Sequence, residues 1–194
     1  SVPGAAHELF QKIDHDRMRI DMLVNNAGIG DYNLFQNADR TKLVNMINLN
    51  VTALTELCHL ILPQMIERGY GKIMNVASTA AFMPGPLMAT YFATKAYVLH
   101  FSEAIGNELK GSGVTVTTLC PGATATGFQK GAEMSGSLFK GSIPTAEEVA
   151  GFGYRAMIKG RPVAIHGRRN RLMTSLIRVT PRKLATKVAR SFLG

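Results

Sequence analysis

The chain has few of the residues that mark secreted or metal-binding proteins. It contains no tryptophan and only two cysteines, Cys58 and Cys120, whose spacing fits neither a zinc knuckle nor a redox Cys-x-x-Cys pair. Two lone thiols favour a reducing compartment, here the cytoplasm, and two buried apolar side chains rather than a disulfide. None of the five histidines stands at metal-ligand spacing, so no metal site is predicted.

Long uninterrupted apolar runs are also missing. Charged residues interrupt the first 14 positions, so no secretory signal is predicted there. The longest apolar stretch, residues 51–66, contains Glu56, His59 and Pro63, and it is too short and too interrupted to span a bilayer.

Acidic residues are absent from position 149 onwards. Residues 1–148 carry 11 basic and 13 acidic groups, whereas residues 149–194 carry 11 basic groups and no acidic one, so the net charge of +9 belongs to the tail. Residues 167–194 form a basic amphipathic tail, and its helical pattern is interrupted before Pro181. This pattern favours a helix packed on the body or on a sister subunit, with a peripheral membrane contact as the alternative. No nucleic-acid role is predicted, because no aromatic stacking residues accompany the charge between 168 and 190.

What the sequence does contain is a regular alternation of short apolar strands and long helical patterns. A chain of 194 residues, 46% apolar and 18% charged, fits one globular domain. Alternating strands and helices are typical of a parallel sheet covered by helices on both faces. The predicted fold is therefore α/β, a doubly wound parallel sheet. The predicted strands are 20–24, 72–77, 114–119 and 162–166, and the predicted helices are 4–13, 39–67, 89–110, 145–159 and 170–193.

Tyr91 and Lys95 form a candidate acid/base pair. They are four residues apart in a predicted helix, so they share one face. A phenol with a pKa of about 10 is a poor base at neutral pH, and a nearby ammonium favours the phenolate. We therefore expect Lys95 to lower the pKa of Tyr91 and make it able to exchange a proton with a substrate oxygen.

Ser78 belongs to the same candidate site. It follows a predicted strand, and ligands of open parallel sheets bind at the carboxyl ends of the strands. A hydroxyl there can hydrogen-bond a carbonyl oxygen as charge develops on it. The segment 25–28 ends the preceding strand at this edge, and the segment 121–126 ends the following one.

These residues together resemble the short-chain dehydrogenase/reductase family. The matching pieces are Asn-Asn-Ala-Gly at 25–28, Asn50 within a helix, Asn-Val-Ala-Ser at 75–78, Tyr-x-x-x-Lys at 91–95 and Pro-Gly-x-x-x-Thr at 121–126. They stand in the family's order and cover residues 20 to about 166. The resemblance implies a Rossmann-type fold, of which the chain holds the second part.

The resemblance also implies a role for each matching residue. Tyr91 would transfer the hydroxyl proton, Lys95 would also hold the nicotinamide ribose, Ser78 would orient the substrate oxygen, and Asn50 would hold a water. The cofactor-binding residues would be Tyr91 and Lys95 together with Asn26, Ala27, Gly28, Pro121, Gly122, Thr124 and Thr126. Asn25 is instead predicted to bridge two strands.

One part of the family pattern has no counterpart between residues 1 and 194. The glycine-rich turn that binds the cofactor pyrophosphate is missing, since Gly28-Ile-Gly30 follows the wrong strand and Gly69 and Gly71 lack a third glycine. We therefore expect the sequence to be the C-terminal, catalytic portion of a longer protein, and a single partial domain. We also expect strand 20–24 to be an open edge, because its neighbour in the family is missing.

The predicted function is that of an oxidoreductase that interconverts a carbonyl and a secondary alcohol by hydride transfer. The cofactor is NAD or NADP, with NADP favoured. A small apolar substrate is expected from Phe82, Met83, Phe128, Met134, Leu138 and Phe139. A homodimer or homotetramer joined through helices 39–67 and 89–110 is implied by the family. The alternative function is a noncatalytic binding module, membrane-associated through the tail.

Overall fold

Four parallel strands form the centre of the protein. A computed structural model describes residues 4–128 and 143–193. The strands are β1 (Met22–Asn25), β2 (Gly71–Val76), β3 (Val114–Cys120) and β4 (Val163–Ile165), and they lie side by side in the order β1-β2-β3-β4. All three pairings are parallel, which confirms the predicted Rossmann-type α/β sheet.

Helices connect the strands in sequence. They are α1 (Ala5–His15), α2 (Arg40–Ile47), α3 (Leu54–Glu67), α4 (Ala89–Glu108), α5 (Ala146–Ile158), α6 (Arg168–Val179) and α7 (Arg182–Leu193). The predicted tail helix is two helices, α6 and α7, separated at Pro181 as the sequence indicates.

The sheet is covered on both faces because alternate strand residues point in opposite directions. On one face, Ile73 and Val116 pack with Cys58 of α3 and Val98 of α4. On the other face, Met74 and Leu119 pack with Val149, Ala156 and Met157 of α5. This burial explains why the strands are apolar at successive positions.

Strand β1 differs in part from the prediction. It begins at Met22 rather than residue 20, and it pairs only with β2 among the described residues. The prediction of a buried strand is wrong at two positions, since Met22 is 39% exposed and Val24 is 46% exposed. The prediction of an open edge is confirmed.

The predicted helix 39–67 is not continuous. Asp39 caps α2 as expected, accepting a 2.7 Å hydrogen bond from the Lys42 amide. Residues Asn48–Ala53 then form a π-helical turn before α3 begins. Such turns are frequent at functional sites, and this one carries Asn50.

The helical stretch Arg40–Glu67 is long and apolar enough to cross a membrane by length and composition alone, with a mean hydropathy of 1.2. That criterion is weak evidence, because core helices of globular proteins also meet it. Here Met46 is fully buried, and Cys58, Ile61 and Met65 pack in the core. One side of the stretch therefore packs in the core, while Val44, Ile47 and Ile66 are exposed, and 28% of its most apolar part is buried inside the protein.

Candidate active site

Ser78, Tyr91 and Lys95 lie together at the carboxyl end of the sheet. Ser78 follows β2 and caps a 3-10 turn, accepting a 3.1 Å hydrogen bond from the Ala80 amide. Tyr91 lies in the first turn of α4, and the Ser78 side chain is close enough to its hydroxyl to lower its pKa. The Lys95 Nζ lies 5.8 Å from the centroid of the Tyr91 ring. The arrangement predicted from the sequence is therefore present.

The electrostatics of the pair differ from the prediction. Burial raises the pKa of Tyr91 to about 12, while the Ser78 side chain acts in the opposite direction. Burial lowers the pKa of Lys95 to about 8. Burial is the largest influence on the phenol, so the net lowering of the Tyr91 pKa that was expected from Lys95 is absent in this arrangement.

The Lys95 ammonium is held by the main chain of β2. It donates a 2.8 Å hydrogen bond to the Val76 carbonyl, which is its one hydrogen-bond acceptor among the described residues. An ammonium carries three donors, so two remain for a ligand.

Asn50 joins the π-helical turn to the segment that follows β1. Its side chain accepts a 3.0 Å hydrogen bond from the Ile29 amide and donates a 2.9 Å bond to the Ile29 carbonyl. It also donates to the Thr94 hydroxyl at 3.1 Å. The side chain is almost completely buried, at 1% exposure.

Gly28 fits closely between Asn50 and Lys95. A Cβ atom at this position would lie 3.2 Å from the Lys95 Nζ and 3.3 Å from the Asn50 Oδ1. Only a residue without a side chain can therefore lie this close to the Lys95 ammonium. Asn26 and Ala27 precede it and are exposed.

Asn25 bridges strands, as predicted. It donates a 2.9 Å hydrogen bond to the Oδ1 of Asn75, its register partner on β2. Asn75 in turn donates to Ser102 of α4 at 2.9 Å. This buried polar chain is structural and lies beneath the site.

The segment after β3 forms another side of the site. The Pro121 carbonyl accepts a hydrogen bond from the Thr79 amide at 2.8 Å and another from Ser78 at 3.4 Å. Thr124 donates to the Gly122 carbonyl at 3.1 Å, and Thr126 accepts from the Phe128 amide at 3.3 Å. Both threonine hydroxyls therefore form hydrogen bonds with backbone groups two residues away in the same segment.

Sequence reasoning missed Asn170 in the first turn of α6. Its side chain donates a 2.8 Å hydrogen bond to the His166 carbonyl. A Cβ atom on Gly122 would lie 2.5 Å from its Nδ2 atom. The one available signal was a neutral amide among three arginines, at positions 168–171, where the sequence analysis considered only charge.

The predicted apolar mouth is confirmed in part. Phe128 lies 5.1 Å from Tyr91 between ring centroids, and Met83 packs in the apolar cluster that includes Tyr91. The prediction for Phe82 is wrong, because it packs against the core beneath α3 and α4. Met134, Leu138 and Phe139 lie outside the described residues. The last residue of α7, Leu193, joins the Tyr91 cluster, which the sequence did not indicate.

Comparison with known proteins gives consistent matches. The sequence model of the family described as short chain dehydrogenase matches residues 3–135. A ketoacyl reductase (HetN) from Nostoc is 34% identical over 161 residues, covering 82% of this chain and 55% of the relative. A sulfoacetaldehyde reductase from Chromohalobacter salexigens is 39% identical over 140 residues, covering 68% of this chain and 55% of the relative.

Solved structures agree on the fold. A short-chain dehydrogenase from Sphingobium yanoikuyae in complex with NADPH is 28% identical, with a TM-score of 0.77 over 93% of this chain and 73% of that one. A 7beta-hydroxysteroid dehydrogenase has a TM-score of 0.80 at 23% identity, covering 97% of this chain and 72% of that one. The chain spans about half the length of the two reductases it matches.

Proposed function

Because the chain belongs to the short-chain dehydrogenase family, we propose that it carries the proton-transfer site of an NAD(P)-dependent oxidoreductase. The reaction is the interconversion of a carbonyl and a secondary alcohol. The observation that carries the proposal is the grouping of the three side chains at the carboxyl end of the sheet, where Ser78 is close enough to lower the pKa of Tyr91 and the Lys95 ammonium lies 5.8 Å from the centroid of the phenol ring.

The residues fit a nicotinamide cofactor. The Lys95 ammonium has donors to spare beyond its bond to Val76, and they suit ribose hydroxyls. Gly28 keeps side-chain atoms away from that ammonium, so a ligand can approach it closely. When bound, the cofactor supplies or accepts the hydride. NADP is the favoured form, supported by the NADPH complex of the Sphingobium relative.

In the reductive direction, Ser78 hydrogen-bonds the substrate carbonyl oxygen and Tyr91 donates the proton to it. A pKa of about 12 keeps the phenol protonated at neutral pH, which suits a general acid. Lys95 carries positive charge in a large fraction of molecules near neutral pH, because its pKa is about 8. That charge stabilises the phenolate left after transfer.

A small apolar carbonyl compound is the proposed substrate class. The surroundings of Tyr91 supply apolar contacts rather than charged ones, chiefly the Phe128 ring, Met83 and Leu87. A hydrophobic ketone would bury its surface against these side chains while its oxygen reaches Ser78 and Tyr91.

A homodimer or homotetramer is the proposed assembly. Three large side chains on α2 and α4 are each about two-fifths exposed although they are mainly apolar. They are Val44 and Ile47 of α2 and Tyr97 of α4. An open apolar groove between these helices is lined by Ile47, Val51, Ala89 and Ala93. A second copy would cover this surface. A cytoplasmic location is also proposed, supported by the free, buried Cys58 and Cys120.

The test compares two tyrosines of one helix. In the protein of natural length, Tyr91→Phe is expected to lower the rate of ketone reduction by about 10²- to 10⁴-fold, the usual contribution of a general acid. Tyr97→Phe is the control, since Tyr97 is exposed and bonded to Thr55. The measurement is oxidation of NADPH or NADH with a panel of apolar ketones.

Wild-type turnover by Tyr91→Phe would refute the proton-transfer role. If nicotinamide fluorescence shows cofactor binding but no ketone or alcohol reacts in either variant, the noncatalytic binding module becomes the better description.

A further inference from the structure

The two C-terminal helices expose apolar side chains in a regular pattern. In α6, Leu172, Leu176 and Val179 recur at helical spacing, so they line one side. In α7, Leu184, Val188 and Phe192 do the same. We call these six residues the tail stripes; each is between 39% and 82% exposed.

The inner sides of the same helices are already occupied. Thr174 of α6 is buried, and so are Ala185, Ala189 and Leu193 of α7. The tail stripes are therefore the outward faces of two helices whose inward faces already pack against the rest of the protein. An ordinary surface helix shows mainly polar residues outward, whereas these two expose large apolar side chains among the polar ones.

Basic residues accompany the tail stripes. The two helices contain eight arginines and lysines, namely Arg168, Arg169, Arg171, Arg178, Arg182, Lys183, Lys187 and Arg190. In the described part of the chain, none of the eight forms an ion pair. No acidic residue follows Glu148 in the sequence.

We propose that the tail stripes and their basic residues dock on an anionic lipid bilayer. Exposed aliphatic side chains beside arginines and lysines match an interface in which apolar groups enter the acyl boundary and cations meet lipid phosphates. A second copy of the chain is a poor occupant, because two faces of the same positive charge repel. A nucleic acid would meet the charge but not the aliphatic stripes.

Docking of this face places the candidate active site near the lipid surface. Leu193 at the end of α7 packs in the same apolar cluster as Tyr91 and Phe92, and its carbonyl accepts a hydrogen bond from Tyr32. Asn170 of α6 contacts Gly122 beside the site. An apolar carbonyl substrate could then be delivered from the bilayer. This delivery rests on the proposed function, whereas the docking does not.

The absence of tryptophan from the chain makes a direct test available. Leu176→Trp places a single indole on the tail stripes, and Leu9→Trp places one on α1, where Leu9 is about half exposed. With vesicles of phosphatidylcholine mixed with phosphatidylglycerol, emission from Leu176→Trp is expected to shift to shorter wavelength. Emission from Leu9→Trp is expected to stay unchanged.

Co-sedimentation with the same vesicles measures the two contributions. Exchange of phosphatidylglycerol for phosphatidylcholine, or the double substitution Leu176→Asp and Leu184→Asp, is expected to weaken binding by about tenfold or more. Leu9→Asp is the control for an added charge. Neither assay needs cofactor or turnover, so failure here leaves the proposed reaction untouched.

Three results would overturn the proposal. The first is no co-sedimentation of the unmodified protein with the mixed vesicles. The second is co-sedimentation without a shift from Leu176→Trp, which means adsorption by charge alone. The third is a smaller oligomer for the Leu176→Asp and Leu184→Asp variant by light scattering, which assigns the face to a second copy.

Discussion

At the scale of single residues, the site depends on two ionisable groups held away from water. Burial disfavours the charged form of each, so it raises the pKa of the Tyr91 phenol and lowers that of the Lys95 ammonium. The two shifts bring the pKa of Lys95 close to neutral pH while leaving Tyr91 protonated. As a consequence of this packing, Tyr91 is a proton donor that lies beside Lys95, whose charge changes near pH 8.

The lowered pKa of Lys95 predicts how stability varies with pH. In the folded protein the pKa of Lys95 is about 8, whereas its ordinary value, which applies in the unfolded chain, is 10.5. Between these values the unfolded state binds more protons, so the Lys95 contribution to the free energy of unfolding rises with pH. Compared with Lys95→Met, the unmodified protein should gain on the order of 3 kcal/mol between about pH 7 and pH 10.5.

The measurement is urea unfolding of both proteins across that range. Tyr91, Cys58 and Cys120 have raised pKa values, so their contributions fall as pH rises, but Tyr91 and Cys58 are present in both proteins and cancel in the difference. Lys95 lowers the pKa of Cys120, but that pKa is about 12 and rises further without Lys95, so Cys120 stays protonated in both folded proteins across the measured range. Lys110→Met, at an exposed position, is the control for the loss of a lysine side chain. A difference that stays flat with pH for Lys95→Met would contradict the buried ammonium.

At the scale of elements, the sequence predicted strands and helices better than it predicted their interruptions. The four strands and the Tyr91 helix follow from local apolar periodicity, which is a property of neighbouring residues. The π-helical turn at Asn48–Ala53 does not, because it depends on the bonds between Asn50 and Ile29, 21 residues away. The pKa of Tyr91 was mispredicted for a similar reason, since burial depends on Phe128 and other distant residues.

The turn between α4 and β3 gives a matched pair of glycine substitutions. Gly111 and Gly113 both have positive φ angles, 87° and 81°. A Cβ atom on Gly111 would meet nothing within 4 Å, whereas one on Gly113 would lie 1.9 Å from the Gly69 carbonyl oxygen. Gly111→Ala should therefore cost only the left-handed backbone penalty, about 1 kcal/mol.

Gly113→Ala should cost about 1–3 kcal/mol more, because the loop after α3 must move away from the turn before β3. Chemical denaturation of the two variants measures the difference. Equal destabilisation would mean that the two loops do not touch as described.

At the scale of the whole molecule, the surface has two unusual faces of different character. The groove between α2 and α4 is apolar, with Ile47 and Val51 in its lining. The tail stripes are apolar and strongly basic. This difference in chemistry is the reason that we propose different occupants, a second copy for the groove and a lipid surface for the tail.

Substitution of two isoleucines in the stretch Arg40–Glu67 tests whether a second copy occupies the groove. Ile47 lines the groove and is 43% exposed, while Ile66 lies at the end of α3 and is 45% exposed. Ile47→Asp is expected to shift the protein to a smaller assembly, because a carboxylate would have to be buried against the partner. Ile66→Asp should leave the assembly unchanged. Size-exclusion chromatography with light scattering reads both, and an unchanged mass for Ile47→Asp would place the subunit contact elsewhere.

The two buried thiols make it possible to follow transient openings of the native protein. Burial raises the pKa of Cys58 to about 11 and that of Cys120 to about 12, so neither forms the reactive thiolate at neutral pH while the core is closed. Cys58 lies in α3 and Cys120 ends β3. The rates at which an alkylating reagent labels each one therefore report how often the helix layer and the strand end separately come into contact with solvent.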